Sequence, residues 1–397
     1  MISIKNANNS IKRTVPTLEP EAIAIRSSVG RILAEDIVAD MDLPPFDRSM
    51  MDGFAVRAAD LAGPHSTLKV VGESAAGRGW HHELSRGEAV RIMTGAPVPK
   101  GADAVIRVED TSENDGSVVI GTVVKRGTSI VKRGSEVRSG RVLLSKGDLI
   151  TPYNIATIAA FGYAELQVYK RPTISVISTG SEIVTIATTP KQDQIRNSNS
   201  VMIASMAAAL NAKVEIRPHV MDDIANLKRA VGSASERSDM VVLTGGVSVG
   251  KYDLTKDAII GLGGKIIFDK VRLKPGKPTV FAMLGNACVF GLPGNPVSAA
   301  VAFRLFVQAA IMRMQGAGSP LGSGGKALTN AELKAPTERD LYQLSRSEID
   351  TKGRLSISPV QTRGSSDLAS MRVADCLAVV PRGTRNQPGD IVDILWL

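Results

Sequence analysis

The sequence predicts a multidomain protein of α/β plus β class, and three observations lead to this prediction. The chain has 397 residues, 43% of them hydrophobic, which is enough material for several domains of ordinary size. Its middle part alternates strand-like and helix-like segments, the pattern of a mostly parallel sheet flanked by helices. Two other parts carry short β-like runs separated by glycine, which predict two smaller β domains.

The N-terminal third changes its pattern twice. Residues 19–39, EPEAIAIRSSVGRILAEDIVA, space their apolar residues as a helix does, with a break near Gly30. The stretch PPFDRSMMDGFAV then interrupts this periodicity. In residues 68–137 the runs LKVVGES, EAVRIMTG, AVIRV, GSVVIGTVV and SIVKRGSEV predict a small all-β unit.

Strand–helix alternation begins at Arg171. We expect strands in TISVISTGSE, KVEIRPHVMDD and DMVVLTGGVSVG, and helices in SVMIASMAAALNA and IANLKRAVGSAS. In FGLPGNPVSAAVAF, residues 290–303, the Asn-Pro pair predicts a helix that begins at about Pro296, with the Asn295 side chain as its N-cap. After Gly316 the runs LYQLSRSEI, RLSISPV, CLAVVP and DIVDILWL predict the second small β unit.

Composition argues against several classes of protein. The sequence contains no uninterrupted run of eighteen or more apolar residues and the N-terminus lacks the apolar core of a secretory signal, so we expect a cytoplasmic protein without a membrane partner. Cys288 and Cys376 lack metal-ligand spacing and are interpreted as small core residues. The net charge of +9 is dispersed and aromatic residues make up only 4% of the chain, so we expect a phosphorylated small molecule rather than nucleic acid.

Candidate ligand-binding residues follow the expected strands of the α/β region, where parallel sheets bind their ligands. Successive small residues in GGVSVG let backbone amides converge on a phosphate, although the loop lacks the spacing of a P-loop or a dinucleotide-binding turn. The residues at these junctions are Glu182, Asp222, Asp223, Gly245, Gly246, Ser248, Asp253, Pro293, Gly294 and Pro296.

A basic cluster lies between two of these junctions, in DKVRLKPGKP, and contains Lys270, Arg272, Lys274 and Lys277. A solvated basic face is one interpretation. Its position beside glycine-rich turns favours an anion site. Acidic residues at the same edge would repel a phosphate unless a divalent cation lay between them, and carboxylates suit Mg²⁺. Each acid alone has a second interpretation, as a helix cap.

Two compact turns stand out in the N-terminal third. Asp47 and Asp52 flank the turn in PPFDRSMMDGFAV, and Thr94 opens the turn in IMTGAPVPKGADAVIRVED. The Asp-Gly pair favours a tight bend that exposes the Asp52 carboxylate. Taken alone, both segments are also explained as ordinary turns.

Taken in order, these motifs resemble the molybdopterin molybdenumtransferase family, which includes the MoeA proteins and the E-domain of gephyrin. The resemblance rests on PPFDRSMMDGFAV, TGAPVPKGADAVIRVED, STGSEIV, LTGGVSVGKYD, KPGKP and FGLPGNPVSAAVAF, and spans residues 44–306. It implies an elongated N-terminal domain (1–42 and 139–170), a β insertion (43–138), a central three-layer α/β molybdopterin-binding domain (171–317) and a C-terminal β-barrel (318–397).

The resemblance also implies a reaction. Adenylylated molybdopterin and molybdate are the substrates. Molybdate is inserted at the dithiolene of molybdopterin, Mg²⁺ assists hydrolysis of the adenylyl phosphoanhydride, and AMP and the molybdenum cofactor are released. Carried over by position, the implied catalytic residues are Asp52, Thr94, Asp222 and Asp253; the substrate-binding residues are Gly245, Gly246, Ser248, Lys270, Lys274, Pro293, Gly294 and Pro296; and the metal ligands are Glu182 and Asp222. Further implications are a homodimer with composite active sites and a molybdopterin adenylyltransferase that delivers the substrate.

Some positions depart from the pattern of that family. Glu136 stands where an aspartate is more common and Val131 where an arginine is often found, which argues against an oxyanion role for the adjoining Lys132 and Arg133. GSSDLASM resembles a serine-bearing loop of the family, with Ser365 and Ser366 as the two candidates.

Two other functions are considered. A nucleotide pyrophosphatase of the competence-damage type shares turns like TGSE and GGVS, but does not explain PPFDRSMMDGFAV or the β insertion. A non-catalytic scaffold like the gephyrin E-domain is the second alternative, and retention of the acids and lysines argues against it.

Overall fold

The computed structural model describes residues 1–63, 65–246, 254–319 and 324–397. The chain divides into two compact units. The first comprises Met1–Glu35, Lys146–Pro152 and Glu165–Leu397, and the second comprises Asp36–Ser145 and Tyr153–Ala164.

The chain opens with a helix that the sequence analysis did not predict. The helix α1 (Ile4–Thr14) begins after Ser3, whose hydroxyl accepts a hydrogen bond from an amide of the first turn. Its buried residues Ile4, Ala7 and Ile11 pack into the core of the α/β domain. A serine N-cap and apolar residues three and four positions apart are the sequence features that produce this helix.

The prediction of a helix over residues 19–39 is wrong. These residues form β1 (Pro20–Ala24), a 3-10 turn (Ile25–Ser27) and β2 (Ile37–Val38). All of β1 pairs antiparallel with a later strand, Glu165–Tyr169. This pairing satisfies the backbone hydrogen bonds of β1, whose isoleucine also favours a strand. The contact with a distant strand therefore outweighs the helix-like spacing of the apolar residues.

The second unit contains the predicted small β domain. The elements that follow β2 in the chain are β3 (Arg48–Ser49), β4 (Gly53–Val56), β5 (Ser66–Ser74), β6 (Glu88–Ile92), β7 (Ala104–Arg107), β8 (Thr111–Asn114), β9 (Ser117–Ile120), β10 (Ile130–Val131), β11 (Val142–Leu144) and α2 (Pro152–Ala160). Six of these strands form one sheet in the order β7-β4-β6-β5-β9-β8. Phe54, Val56 and Ile106 are fully or almost fully buried in its core.

The α/β domain follows β12 (Glu165–Tyr169). Its elements are β13 (Thr173–Ser178), β14 (Ile183–Val184), β15 (Ile195–Arg196), α3 (Ser198–Ala209), β16 (Lys213–Ile216), α4 (Ile224–Ser235), β17 (Met240–Thr244), α5 (Leu254–Gly261), β18 (Lys265–Phe268), β19 (Leu273–Lys274), β20 (Val280–Leu284), β21 (Ala287–Leu292), α6 (Pro296–Ala302) and α7 (Gln308–Met314). A π-helical turn, Phe303–Val307, joins α6 to α7.

The sheet of this domain has the order β16-β13-β17-β21-β20-β18, in which the first four strands are parallel. Alternate residues of β17 face two separate cores. Met240 and Val242 pack on the side of α3, α6 and α7, and Val241 and Leu243 pack on the side of α4 and α5. The predicted three-layer α/β architecture is confirmed.

The C-terminal domain is a closed barrel, as predicted. Its elements are β22 (Gly324–Thr329), β23 (Leu333–Lys334), β24 (Asp340–Ile349), β25 (Leu355–Pro359), α8 (Leu368–Met371), β26 (Cys376–Val380), β27 (Arg385–Asn386) and β28 (Ile391–Trp396). The strand order β24-β25-β22-β28-β26 closes on itself because β26 pairs with both β28 and β24.

Both cysteines are buried and unbridged, which agrees with their interpretation as core residues. Burial, together with the nearby Asp239 carboxylate, raises the pKa of Cys288 to about 12. The Cys288 thiol therefore stays protonated at neutral pH and acts as a small apolar group between β21 and the helices that cover it.

One described helical stretch, Pro296–Met314, is long and apolar enough to cross a membrane, with a mean hydropathy of 1.4. Its most apolar window is 83% buried inside the protein. Burial of this extent is typical of a core helix, and the stretch is weak evidence for a membrane span.

Gly53 marks a close approach between β4 and β7, and its replacement tests the packing of the β domain. A Cβ at Gly53 would lie 1.8 Å from the carbonyl oxygen of Ile106, so the paired backbones must move apart. We expect Gly53→Ala to lower the free energy of unfolding by about 2–3 kcal/mol in urea denaturation. Gly63→Ala is the matched control, because a Cβ there meets nothing within 4 Å. Equal stability of the two variants would contradict this packing.

Candidate functional site

Three parallel strands of the α/β sheet end side by side and open a cleft. The strands β13, β17 and β21 are neighbours in the sheet, and their C-terminal ends face the same edge. The cleft has a volume of about 1430 Å³. It lies where open α/β sheets bind their ligands. The predicted site residues that line it are Glu182, Asp222, Asp223, Gly245, Gly246, Pro293, Gly294 and Pro296.

Backbone hydrogen bonds tie these strand ends together. The amide of Thr179 donates to the carbonyl of Thr244 at 2.9 Å, and the amide of Gly245 donates to the carbonyl of Leu292 at 3.2 Å. Gly245 has a φ of +94°, and a Cβ there would lie 2.4 Å from the carbonyl oxygen of Thr179. Only glycine fits at this junction.

The side chain of Asn199, in the first turn of α3, links the same turns. Asn199 Nδ2 donates to Thr244 Oγ1 at 2.9 Å and to the carbonyl oxygen of Gly294 at 2.7 Å. Thr244 Oγ1 in turn donates to the carbonyl oxygen of Pro293 at 3.3 Å. The loop that precedes α6 is therefore held by side chains of two other strand–helix junctions.

The acids of the cleft have different surroundings. Asp223 is the N-cap of α4, and its Oδ1 accepts a hydrogen bond from Ala225 N at 2.8 Å. The neighbouring Asp222 does not cap the helix, and its Oδ2 accepts a long hydrogen bond, 3.4 Å, from Ser181 N. Glu182 is exposed at the cleft. The helix-cap interpretation thus holds for Asp223 and leaves Asp222 and Glu182 facing the space in which a ligand would bind.

The carboxylates suit Mg²⁺ in one particular binding mode. In the part of the chain that the structure describes, no group of three or more His, Cys, Asp or Glu side chains is arranged to hold a metal ion. Mg²⁺ commonly retains several waters and binds one or two carboxylates together with substrate phosphates. Glu182 and Asp222 are hard oxygen ligands on one cleft, so they fit this mode.

A loop of the C-terminal domain covers the N-terminus of α6. The helix begins at Pro296 as predicted. The prediction that the Asn295 side chain caps this helix is wrong, because the side chain makes no capping hydrogen bond. Asn295 Nδ2 instead donates to Ser365 Oγ at 2.7 Å, and the amide of Val297 donates to the carbonyl oxygen of Ser365 at 3.1 Å. Ser365 therefore satisfies groups of the helix end, whereas Ser366 lines the cleft.

Two other predicted residues of this domain, Lys270 and Lys274, do not line the described cleft. Lys274 is exposed in β19, which pairs in parallel with β24 of the barrel. Neither Lys274 nor the half-buried Lys270 is among the residues that line the cleft, although Pro278 is. Ser248 and Asp253 lie outside the described residues.

In the second unit, the structure brings together the two predicted turn residues. Asp52 Oδ1 accepts hydrogen bonds from Thr94 N at 2.6 Å and from Thr94 Oγ1 at 2.8 Å. These bonds, the backbone one foremost, hold the pKa of Asp52 below its usual range. The exposed carboxylate is therefore ionised at neutral pH.

The basic residues that follow Val131 are already paired within the second unit. Lys132 forms an ion pair with Asp47 at 2.7 Å, and Arg133 forms one with Asp42 at 2.7 Å. Glu136, in the same segment, forms an ion pair with Arg48 at 3.2 Å. Each of these cations therefore already has a carboxylate partner within the second unit.

Comparison with known proteins assigns the family. The profile for the MoeA N-terminal region (domain I and II) matches residues 2–162, that for a probable molybdopterin binding domain matches residues 175–313, and that for the MoeA C-terminal region (domain IV) matches residues 326–397. A molybdopterin molybdenumtransferase of Staphylococcus aureus (strain COL) is 34% identical, over 99% of this chain and 95% of its own length. The chain belongs to the MoeA family.

Further comparisons agree with membership of the MoeA family. A molybdopterin molybdenumtransferase of Bacillus subtilis (strain 168) is 35% identical, over 96% of this chain and 90% of its own length. The crystal structure of a molybdopterin biosynthesis MoeA protein from Pyrococcus horikosii superimposes with a TM-score of 0.85 at 30% identity, covering 100% of this chain and 99% of that one. The nucleotide-pyrophosphatase alternative is not favoured, because the regions before and after the α/β domain also match MoeA regions.

Among the polar residues of this MoeA-family cleft that sequence reasoning missed are Arg196 and Asn199. Both lie in IRNSN, a stretch that reads as a strand end followed by a helix cap. The only available signal was its position before a predicted helix of the α/β domain. Their contacts depend on turns distant in sequence, which no local pattern reveals.

The hydrogen bonds at Asp52 predict how its titration responds to a change at Thr94. Thr94→Val removes the hydroxyl donor and keeps the amide donor, so we expect the pKa of Asp52 to rise. Thr94→Ser keeps both donors and should leave the pKa unchanged. Carbon-detected NMR titration of the carboxyl group measures both. Because the folded pKa is depressed, the stabilisation from this contact is present above the unfolded pKa and disappears as pH falls through the folded pKa. An unshifted titration in Thr94→Val would show that the hydroxyl contact is absent in solution.

Proposed function

We propose that this chain is a molybdopterin molybdenumtransferase that inserts molybdate into adenylylated molybdopterin, with hydrolysis of the adenylyl group, and releases AMP and the molybdenum cofactor. The observation that carries the proposal is the cleft at the ends of β13, β17 and β21 in a chain whose relatives of that name match over nearly its full length. A pterin nucleotide is elongated and anionic. The cleft is of suitable size, and its glycine and proline turns allow close approach of a ligand to the backbone.

The acids of the cleft are assigned to the hydrolytic step. Glu182 and Asp222 would hold Mg²⁺, which when bound offsets the negative charge of the phosphoanhydride. Asp222 orients the attacking water and accepts its proton as the oxygen bonds to the adenylyl phosphorus. The bond from that phosphorus to the bridging oxygen breaks, and AMP leaves. We assign Asp253 to the same step.

Substrate binding is assigned to the turns and to the basic cluster. Gly245, Gly246 and Ser248 would approach the pterin phosphate. Pro293, Gly294 and Pro296 would form the adjoining wall, since a Cβ on Gly294 would lie 3.6 Å from Gly245 Cα. Lys270 and Lys274 would neutralise phosphate and molybdate oxyanions. Since the described cleft does not include these lysines, this assignment predicts that their side chains turn toward the bound ligand.

We propose a homodimer in which each active site uses two chains, with Asp52 and Thr94 supplied by one and the α/β cleft by the other. Around Asp52, the side chains of Phe46, Met50 and Met51 are 41%, 50% and 40% exposed, an apolar surface that suits burial against a partner. Such a protein would act in the cytoplasm and receive its substrate from a molybdopterin adenylyltransferase.

Adjacent acids provide a matched test of the catalytic assignment. We expect Asp222→Ala to reduce molybdate-dependent AMP release at least about 100-fold while the melting temperature changes little. Asp223→Ala removes the cap of α4 and should cost about 1 kcal/mol of stability with near-normal turnover per folded molecule. The measurements are AMP release by chromatography and thermal unfolding. The reverse pattern, in which Asp223 controls turnover and Asp222 does not, would refute the assignment.

Mixed dimers test the composite site. Asp52→Ala and Asp222→Ala should each inactivate the homodimer. In a hybrid both lesions fall in one site and the other site is wild type, so random mixing should recover about a quarter of wild-type activity. Native mass spectrometry must show that hybrids form. Hybrids without recovered activity would mean that both residues act within one chain.

A further inference from the structure

The described lining of the cleft contains more acidic than basic side chains. Among the described residues that line it, Arg196 is the one Lys or Arg side chain, whereas Glu182, Asp222 and Asp223 contribute three carboxylates. A phosphate-bearing ligand would be repelled by this surface unless cations offset it. Arg196 is therefore the described side chain with the charge that such a ligand needs.

The backbone of Arg196 is fixed on both sides. Its strand β15 pairs with β14, through hydrogen bonds from Ile195 N to the Glu182 carbonyl and from Asn197 N to the Val184 carbonyl, both at 2.9 Å. Asn197 is also the N-cap of α3, and its Nδ2 donates to Ser178 Oγ at 2.8 Å. Arg196 therefore lies on a short two-stranded ribbon, β14 and β15, which these hydrogen bonds hold against the sheet.

The guanidinium is oriented by one contact. Arg196 Nε donates to the carbonyl oxygen of Thr188 at 3.1 Å. None of the ion pairs found among the described residues includes Arg196. Because the Nε hydrogen is used in this bond, the two terminal guanidinium nitrogens are left as a fork of donors. This fork matches two oxygens of a tetrahedral oxyanion.

We propose that Arg196 binds the phosphoanhydride of the adenylylated substrate, an inference that rests on the proposed function. The strand paired with β15 follows directly on Glu182, one of the two proposed Mg²⁺ ligands. Mg²⁺ sites of this type include substrate phosphate oxygens, so the phosphates should lie near this ribbon. Arg196 acts there as a binding residue for phosphate, and molybdate binding is not assigned to it.

The test compares Arg196→Ala with Lys191→Ala. Lys191 is exposed on the same loop and carries the same charge, but does not line the cleft. AMP and molybdate are titrated separately by calorimetry, and the KM and kcat for adenylylated molybdopterin are measured by AMP release. Losing one charge-assisted bidentate contact should weaken AMP binding and raise KM by about 10- to 100-fold in Arg196→Ala, with kcat within about threefold of wild type. Lys191→Ala and the molybdate affinity should be unchanged.

Three results would overturn the inference. The first is an AMP affinity in Arg196→Ala equal to that of Lys191→Ala. The second is a loss of molybdate affinity with AMP affinity retained. The third is a fall in kcat with KM unchanged. If Arg196→Ala does not fold, Arg196→Gln is scored by the same criteria. Failure of the wild-type protein to release AMP would count against the proposed function alone, since the AMP titration scores Arg196 independently.

Discussion

Hydrogen bonds between the ends of three parallel strands are the constraint on which the cleft depends. The amide of Thr179 binds the Thr244 carbonyl, the amide of Gly245 binds the Leu292 carbonyl, and Asn199 joins the turns after two of these strands. Cores on both faces of the sheet fix where the strands end. The acids and small residues at the cleft are therefore placed by the sheet, so substrate binding need not organise them.

The electrostatics of the cleft complement this rigid frame. Carboxylates without helix-capping roles, Asp222 and Glu182, lie on the same cleft as a single described guanidinium. In the second unit, by contrast, Lys132 and Arg133 already form ion pairs with Asp47 and Asp42. Charges that are already paired contribute to local structure, whereas unpaired ones at a cleft are available to a ligand. This contrast distinguishes the cleft from the segment around Lys132 and Arg133.

Much of the fold follows from the sequence. The helix over residues 224–235 and the buried strand Met240–Thr244 were predictable from local periodicity, since each buries a regular set of apolar residues. Residues 19–39 were not, because β1 is a strand by virtue of its distant partner Glu165–Tyr169. Of the site, the glycine and proline junctions and Asp222 were accessible from position at strand ends. The partners of Asn295 and Asn199 were not, since they come from Ser365 and Gly294 across the fold.

The most direct test of the central claim is a single-turnover experiment with wild-type protein, adenylylated molybdopterin and Mg²⁺, in which AMP and metal-loaded cofactor are measured together with and without molybdate. The account predicts that AMP release depends on molybdate and matches cofactor formation mole for mole. AMP release at the same rate without molybdate would indicate a pyrophosphatase. Tight binding of the substrate without AMP release would indicate a scaffold, and either result would contradict the account.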